Sequence, residues 1–313
     1  RTISSAASDV YKRQLENRYV MKRVFPDLFS HYGVSKIDEY PTKLYECLQD
    51  ASLSKLKRPE IVLLTPGIYN SAYYEHSYLA QQMGIDLVEG SDLIVKKNIV
   101  YKKTIEGLQK VDVIYRRIDD DYLDPEVGNP FSVIGVKGLI RAWKSKNVAI
   151  VNAPGCGIAD DKAVYSYVPE MINFYLKEEP ILPSIKTFIL ANKNERDYVF
   201  ENIKTMVTKP VAESGGYGIS IGKNLNEREL LKLKRLIMKD PKNYVAQPLI
   251  DLSTSPTFRR DSLFPRHLDL RPFILSGKHT YVTVGGLTRV ALKRGSTVVN
   301  SSQGGGRKDT WIV

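Results

Sequence analysis

Two cysteines in 313 residues, Cys47 and Cys156, lie more than a hundred positions apart and leave no material for a disulfide framework or a thiolate metal cage. Histidine is equally scarce. The four, His31, His76, His267 and His279, have no paired helical spacing of the HExxH kind, and no serine sits in a nucleophile elbow, so metalloprotease and serine-hydrolase chemistry have no support. No stretch approaches the roughly 18 apolar residues a membrane helix needs, and no apolar signal-peptide core opens the chain. Internal repeats and low-complexity linkers are absent. These deficits predict a soluble, unsecreted chain in a reducing cytoplasm, with no membrane partner.

What is present is a globular composition, 42% hydrophobic and 26% charged, long enough for two domains or one large α/β unit. The formal charge is +11. Residues 1–14, RTISSAASDVYKRQ, lack apolar periodicity and read as a tail outside the fold. Their three bases and one acid account for two of these charges, so the remaining +9 belongs to the body. A basic surface suggests an anionic partner but could equally be solvated.

The first half has a β-α-β rhythm. Pro41 starts a surface helix with Leu44, Leu48 and Ala51 at helical spacing. Ile61 to Leu64 is a buried strand stopping at Thr65-Pro66-Gly67, and Ser71 is placed to cap a helix over 72–83 closed by Gly84. Ile85 to Val88 follows as a strand, then a hairpin turning at Lys97 and Asn98. Strands at 111–115 and 148–151 end in polar clusters, where open α/β sheets collect ligand groups. Helices start at Lys162 and Pro169, strands lie at 187–190 and 206–208, and 226–238 is amphipathic with Leu230, Leu233 and Ile237 inward. From Tyr244 on, glycine-punctuated strands predict an antiparallel sheet. The expected division is a tail at 1–14, an α/β part at 15–150, a mixed middle part at 151–250 and a sheet part at 251–313.

Three segments carry candidate chemistry. In TKPVAESGGYGISIG, 208–222, Lys209 leaves a strand and a glycine loop leads into another strand. Glycines let backbone amides approach an anion and form a nest, with Lys209 as point charge. The spacing is not that of a Walker loop, whose lysine follows the glycines into a helix. A plain glycine-rich hairpin would look the same. Lys162 sits at a strand-to-helix junction beside Asp160 and Asp161. In HLDLRPFIL and GGLTRVAL, Asp269, Arg271 and Arg289 alternate with apolar residues, and Asn300 ends a later strand. Two arginines and an asparagine suit a phosphate or carboxylate, although structural ion pairs with Asp269 remain an alternative.

The segments TPGIYNSAYYEHSYLAQQMGIDLVEG, VDVIYRRIDDDYLDP, NAPGCGIADDKAVYSYVPEMI, TKPVAESGGYG, PRHLDLRPFILSG, GGLTRVAL and NSSQGGGRKDTW, in this order, resemble the circularly permuted ATP-grasp family (type 2) related to glutathionylspermidine synthase. The resemblance runs from Leu15 to the end. It implies an α/β (α+β) ATP-grasp fold with an α/β substrate-side domain, and an ATP-dependent carboxylate–amine ligase working through an acyl phosphate. It further implies that Lys162 and Lys209 meet ATP phosphates beneath a flap of Ser214, Gly215, Gly216, Tyr217 and Gly218, with Gln247 near adenine. Arg271 and Arg289 would hold the transferring phosphate or the acyl phosphate, Asn300 would help orient metal or phosphate, and Arg116, Arg117 and Asp119 would contact the acceptor carboxylate or amine. Mg²⁺ is implied as well, but the family's acidic metal strand precedes the segment resembling LENR. Only residues 1–14 stand there, so the chain is expected to be an N-terminally truncated, catalytically incomplete member. An α-helical protein and a transglutaminase-like protein are the implied partners. Two other readings stay open: a nucleotide-binding regulatory protein without ligase activity, and a nucleic-acid binder prompted only by a pI near 9.3.

Overall fold

The computed structural model describes residues 8–54, 56–212, 218–259, 261–296, 299 and 305–313, with the side chains of 8–13 and 259 left outside the description. The chain divides into two compact units, one formed by 1–155 with 253–313 and the other by 156–252.

The larger unit begins with helices α1 (Ser8–Val24), α2 (Pro26–Tyr32) and α3 (Tyr40–Asp50). The expected tail at 1–14 therefore overlaps a helix. Gln14 is buried and donates to Asp309 (2.9 Å), a partner that only tertiary structure supplies. Strand β1 (Ile61–Leu64) leads to α4 (Tyr73–Met83), β2 (Asp86–Val88), the meander β3 (Leu93–Lys96), β4 (Ile99–Thr104) and β5 (Gly107–Lys110), then β6 (Val113–Arg116), α5 (Asp120–Leu123), α6 (Leu139–Lys144) and β7 (Ala149–Val151). Ala72, not Ser71, precedes α4 as its N-cap, and no side chain caps it. Lys97 and Asn98 both take positive φ, 51° and 60°, the geometry a tight two-residue hairpin demands.

Strands β2, β1, β6 and β7 form a parallel sheet in that order. Both faces are covered, which is why β1 is an unbroken apolar run. Ile61 and Leu63 pack with Leu44, Leu48, Leu79 and Met83 of α3 and α4. Val62 and Leu64 pack with Val100 of the meander and Leu139 of α6.

The smaller unit holds α7 (Lys162–Tyr165), α8 (Val168–Leu176), β8 (Phe188–Ile189), α9 (Lys193–Glu201), β9 (Met206–Pro210), β10 (Ser220–Ile221), α10 (Glu227–Lys239) and β11 (Tyr244–Pro248). Its antiparallel sheet runs β10-β9-β11-β8. Leu230, Leu233 and Ile237 of α10 close the core with Phe188, Met206 and Ala246, the face expected from periodicity. Asn226 and Glu229 cap the helix reciprocally at 3.0 and 2.9 Å.

The chain returns to the larger unit as β12 (Thr254–Arg259), β13 (Ser262–Arg271), β14 (Ile274–Ser276), β15 (Thr280–Val282), β16 (Leu287–Val290) and β17 (Gly306–Asp309). The main sheet here is β12-β13-β16-β17, antiparallel throughout. Phe273 and Leu287 join the core of Leu15, Ile37 and Leu44, so segments expected as separate parts at 15–150 and 251–313 share one interior. Strand β11, expected to open the late sheet, pairs instead with β9 and β8, where Val245 and Ala246 are fully buried. Among the described residues no helix is long and apolar enough to cross a membrane.

Candidate functional site

The smaller unit presents one sheet face away from its helical core. Met206, Thr208 and Pro210 point inward, which turns Val207 and Lys209 outward, and the same alternation turns Thr187, Val245 and Gln247 to that outer face. The side chains interlock there. Gln247 Nε2 donates to Thr187 Oγ1 (2.8 Å), which directs Gln247 Oε1 at Lys209 Nζ (2.5 Å). Thr187 is a participant that sequence reading missed; its place two residues before Ile189 on the outer face was the available signal.

Lys162 enters the same neighbourhood from α7, whose N-cap Asp161 accepts from Ala163 N (2.8 Å) and Val164 N (2.9 Å). Lys162 Nζ donates to the Val211 carbonyl at 3.1 Å. Burial, and after it the positive charge of Lys162, holds the Lys209 ammonium below the ordinary lysine pKa. Two cations sharing a half-buried face are relieved by an anion, so the residues fit a polyphosphate.

The loop after β9 does join two strands: β9 and β10 pair with Thr208 opposite Ser220. Ser214, Gly215, Gly216 and Tyr217 lie outside the described residues. Gly218, which follows, has φ +70°, and a Cβ there would stand 2.6 Å from Pro210 Cγ. Only glycine fits that return.

In the larger unit Asp269 and Arg289 are direct cross-strand partners on β13 and β16. Arg289 Nε donates to Asp269 Oδ1 at 2.8 Å while its second nitrogen meets Oδ2, a bidentate pair. The ion-pair alternative is thus realised for Arg289. Arg271, two residues along β13, is exposed, and among the described residues its guanidinium has no hydrogen-bond or ion-pair partner. Partial burial and then Arg289 lower its pKa, with Asp269 opposing. Asn300 lies outside the described residues.

Arg116 ends β6, and Arg117 and Asp119 follow it at the carboxyl edge of the parallel sheet. Arg116 is tied down by main chain and acid alike: Nε donates to Asn152 O (2.6 Å), its other nitrogens to Ile118 O (2.8 Å) and Ala153 O (3.1 Å), and it pairs with Asp120 (2.9 Å). Its side chain clamps the ends of β6 and β7. Arg117, on the opposite face, donates to the Tyr115 hydroxyl at 3.1 Å. Burial raises the Asp119 carboxyl above its usual range against the pull of Arg116. Among the described residues no group of three or more His, Cys, Asp or Glu side chains could hold a metal ion.

The chain is 51% identical over 300 residues to an uncharacterized protein of Synechocystis sp., matching 96% of this chain and 62% of the relative. An uncharacterized Mycobacterium tuberculosis protein is 49% identical over 300 residues, 96% of this chain and 54% of its own length. A Frankia casuarinae protein, provisionally named glutamate–cysteine ligase 2-2, is 39% identical over 302 residues, 95% of this chain and 35% of its own. The chain thus spans roughly half to three fifths of the length of the first two. Among solved structures, a glutathione synthetase-like effector from Globodera pallida aligns at 12% identity with a TM-score of 0.48, over 94% of this chain and 67% of its own. The family described as circularly permuted ATP-grasp type 2 matches residues 13–291. With nearly nine tenths of its length inside that match, the chain belongs to the circularly permuted ATP-grasp family, type 2.

Proposed function

We propose that this chain carries the nucleotide- and acceptor-binding parts of an ATP-dependent carboxylate–amine ligase. The observation that carries the reading is the outer sheet face of the smaller unit, where Lys209 and Lys162 crowd two positive charges. Lys162 and Lys209 meet the phosphates of ATP, the loop of Ser214 to Gly218 covers them with backbone amides, and Gln247, fixed by Thr187, lies toward the adenine. Arg271 acts on the transferring phosphoryl group, with Arg289 oriented beside it by Asp269; Asn300 orients the same phosphate. Arg116, Arg117 and Asp119 serve the acceptor side, Arg116 by holding the strand ends in place.

The reaction divides into two displacements. A substrate carboxylate oxygen attacks the γ-phosphorus and ADP leaves, giving an acyl phosphate; an amine nitrogen then attacks the acyl carbon, loses a proton, and inorganic phosphate leaves. Magnesium supplies charge neutralisation of the triphosphate in such transfers. No carboxylate set for it assembles among the described residues, so this chain is assigned no metal ligand and no step here depends on one.

That gap is the one observation favouring a second reading, a nucleotide-binding regulatory protein without turnover. Hydroxylamine separates the two, because it captures an acyl phosphate as a hydroxamate. With MgATP and a mixed panel of carboxylates, the ligase reading expects ADP and hydroxamate in equal amounts. ATP binding with neither product supports the regulatory reading.

A further inference from the structure

The ladder of the parallel sheet continues one residue past its strands. Leu64 pairs with Val88 on one side and Arg116 on the other, and beyond that row Thr65 N donates to Val88 O (2.9 Å) and Arg117 N to Leu64 O (2.8 Å). The next row across the edge is therefore Glu89, Thr65 and Arg117. All three fall on the face carrying Leu63, Leu87 and Tyr115, which packs against α3 and α4. In the order β2-β1-β6-β7 the chain leaves β1 to one side and returns on the other, and open α/β sheets bind ligands in the crevice at such a reversal.

Each member of the row is held by its surroundings. Thr65 is 1% exposed; its Oγ1 accepts from Gly67 N (3.2 Å) and shares a hydrogen bond with His76 Nδ1 (2.9 Å). His76 is fully buried, and its Nε2 has no hydrogen-bond partner among the described residues. Gly67 has φ +96°, and a Cβ there would meet Glu89 Oε1 at 3.0 Å, so the Glu89 carboxylate lies against the bare backbone of the turn. Arg117 is aimed by its hydrogen bond to Tyr115.

Two inter-strand steps of about 4.8 Å separate the backbones of Glu89 and Arg117 by about 10 Å, with the Gly67 turn against the Glu89 carboxylate between them. A carboxylate and a guanidinium flanking a rigid backbone turn match one small chemical pattern, an ammonium and a carboxylate on the same carbon. We propose that this row is a recognition site for the α-amino acid portion of a substrate, Arg117 taking its carboxylate, Glu89 its ammonium, and the Thr65–Gly67 turn, locked by His76, forming the floor between them. Glu89 and Thr65 are its binding residues alongside Arg117, and His76 is a positioning residue. The proposal rests on the ligase reading for the fate of the bound amino acid, whereas the binding itself can be measured without it.

The test is calorimetric titration of the full chain, without nucleotide, with each of the twenty proteinogenic L-amino acids, and then with the des-amino acid and the decarboxylated amine corresponding to any that bind. At least one amino acid should bind, with both analogues at least tenfold weaker. Glu89→Gln, at an exposed position, should weaken the amino acid at least tenfold and leave the des-amino acid unchanged; Arg117→Met should weaken the des-amino acid and leave the amine unchanged. His76→Gln should weaken the amino acid and both analogues together. The site is overturned if none of the twenty binds to protein that still binds ATP, or if Glu89→Gln binds the amino acid as the parent does. Amino-acid binding by protein that fails to bind ATP supports the site and overturns the ligase reading instead.

Discussion

Lys209 and Gln247 meet diagonally across β9 and β11, the ammonium donating to the amide oxygen at 2.5 Å while Thr187 fixes the amide's other end. A neutral acceptor satisfies the geometry of the lysine without neutralising its charge. With the charge of Lys162 also felt at Lys209, two like charges share this face, where a carboxylate in place of Gln247 would have neutralised one of them.

The N-terminal helix and the last strand are joined by a buried pair. Arg18 Nε donates to Asp309 at 2.8 Å, the side chains being 7% and 1% exposed, and Arg18 also donates to the carbonyls of Ser35 and Thr310, each at 2.6 Å. Asp309 further accepts from Gln14 and from Trp311 Nε1. Arg18→Met should cost about 3–5 kcal/mol, because it strands a buried carboxylate, and lower the melting temperature by about 10 °C. Arg18→Met with Asp309→Leu should recover more than half of that loss in the same thermal scan.

Lys102 reaches out of β4 to Glu60 (2.6 Å) and Asp86. Burial lowers its pKa, but hydrogen bonds to the two carboxylates outweigh burial and the net shift is upward. A raised lysine contributes stability that is fully present below its unfolded pKa and is lost as pH rises through the folded value. Urea unfolding of the parent should therefore weaken at alkaline pH more steeply than that of Lys102→Met. At pH 7 the variant should be about 1–2 kcal/mol less stable.

His76 behaves oppositely. Burial, followed by the charge of Arg117, pulls its pKa from 6.5 down to about 3. Between those values the unfolded chain binds a proton that the folded chain refuses, so stability falls progressively as pH drops from about 6.5 to about 3. In urea titrations across that window, His76→Leu should show the shallower slope.

Local chemistry made much of this fold legible. The apolar run Ile61 to Leu64, the turn at Lys97 and Asn98, and the Asn226–Glu229 capping box each declare their structure within a few residues. The order of motifs carried the rest of the family assignment. What escaped depends on distant partners. Strand β12 contains Pro256 and β17 reads GRKD, neither with apolar alternation, because both are edge strands that answer to one neighbour only. The start of helix α1, residues 8–14, reads as tail because Gln14 becomes a core residue only when Asp309, 295 positions away, closes over it. Arg116 and Arg117 are adjacent in sequence, yet the pleat sends one into the strand-end clamp and the other to the opposite face.

Equilibrium titration of the chain with ATP, parent against Lys209→Met, tests the central claim most directly. Loss of a charge-assisted contact of about 2 kcal/mol corresponds to more than a tenfold weakening, so the variant should bind ATP at least tenfold more weakly while retaining the parent's melting temperature to within a few degrees. A folded Lys209→Met protein that binds ATP as tightly as the parent would contradict the assignment of this sheet face to the triphosphate.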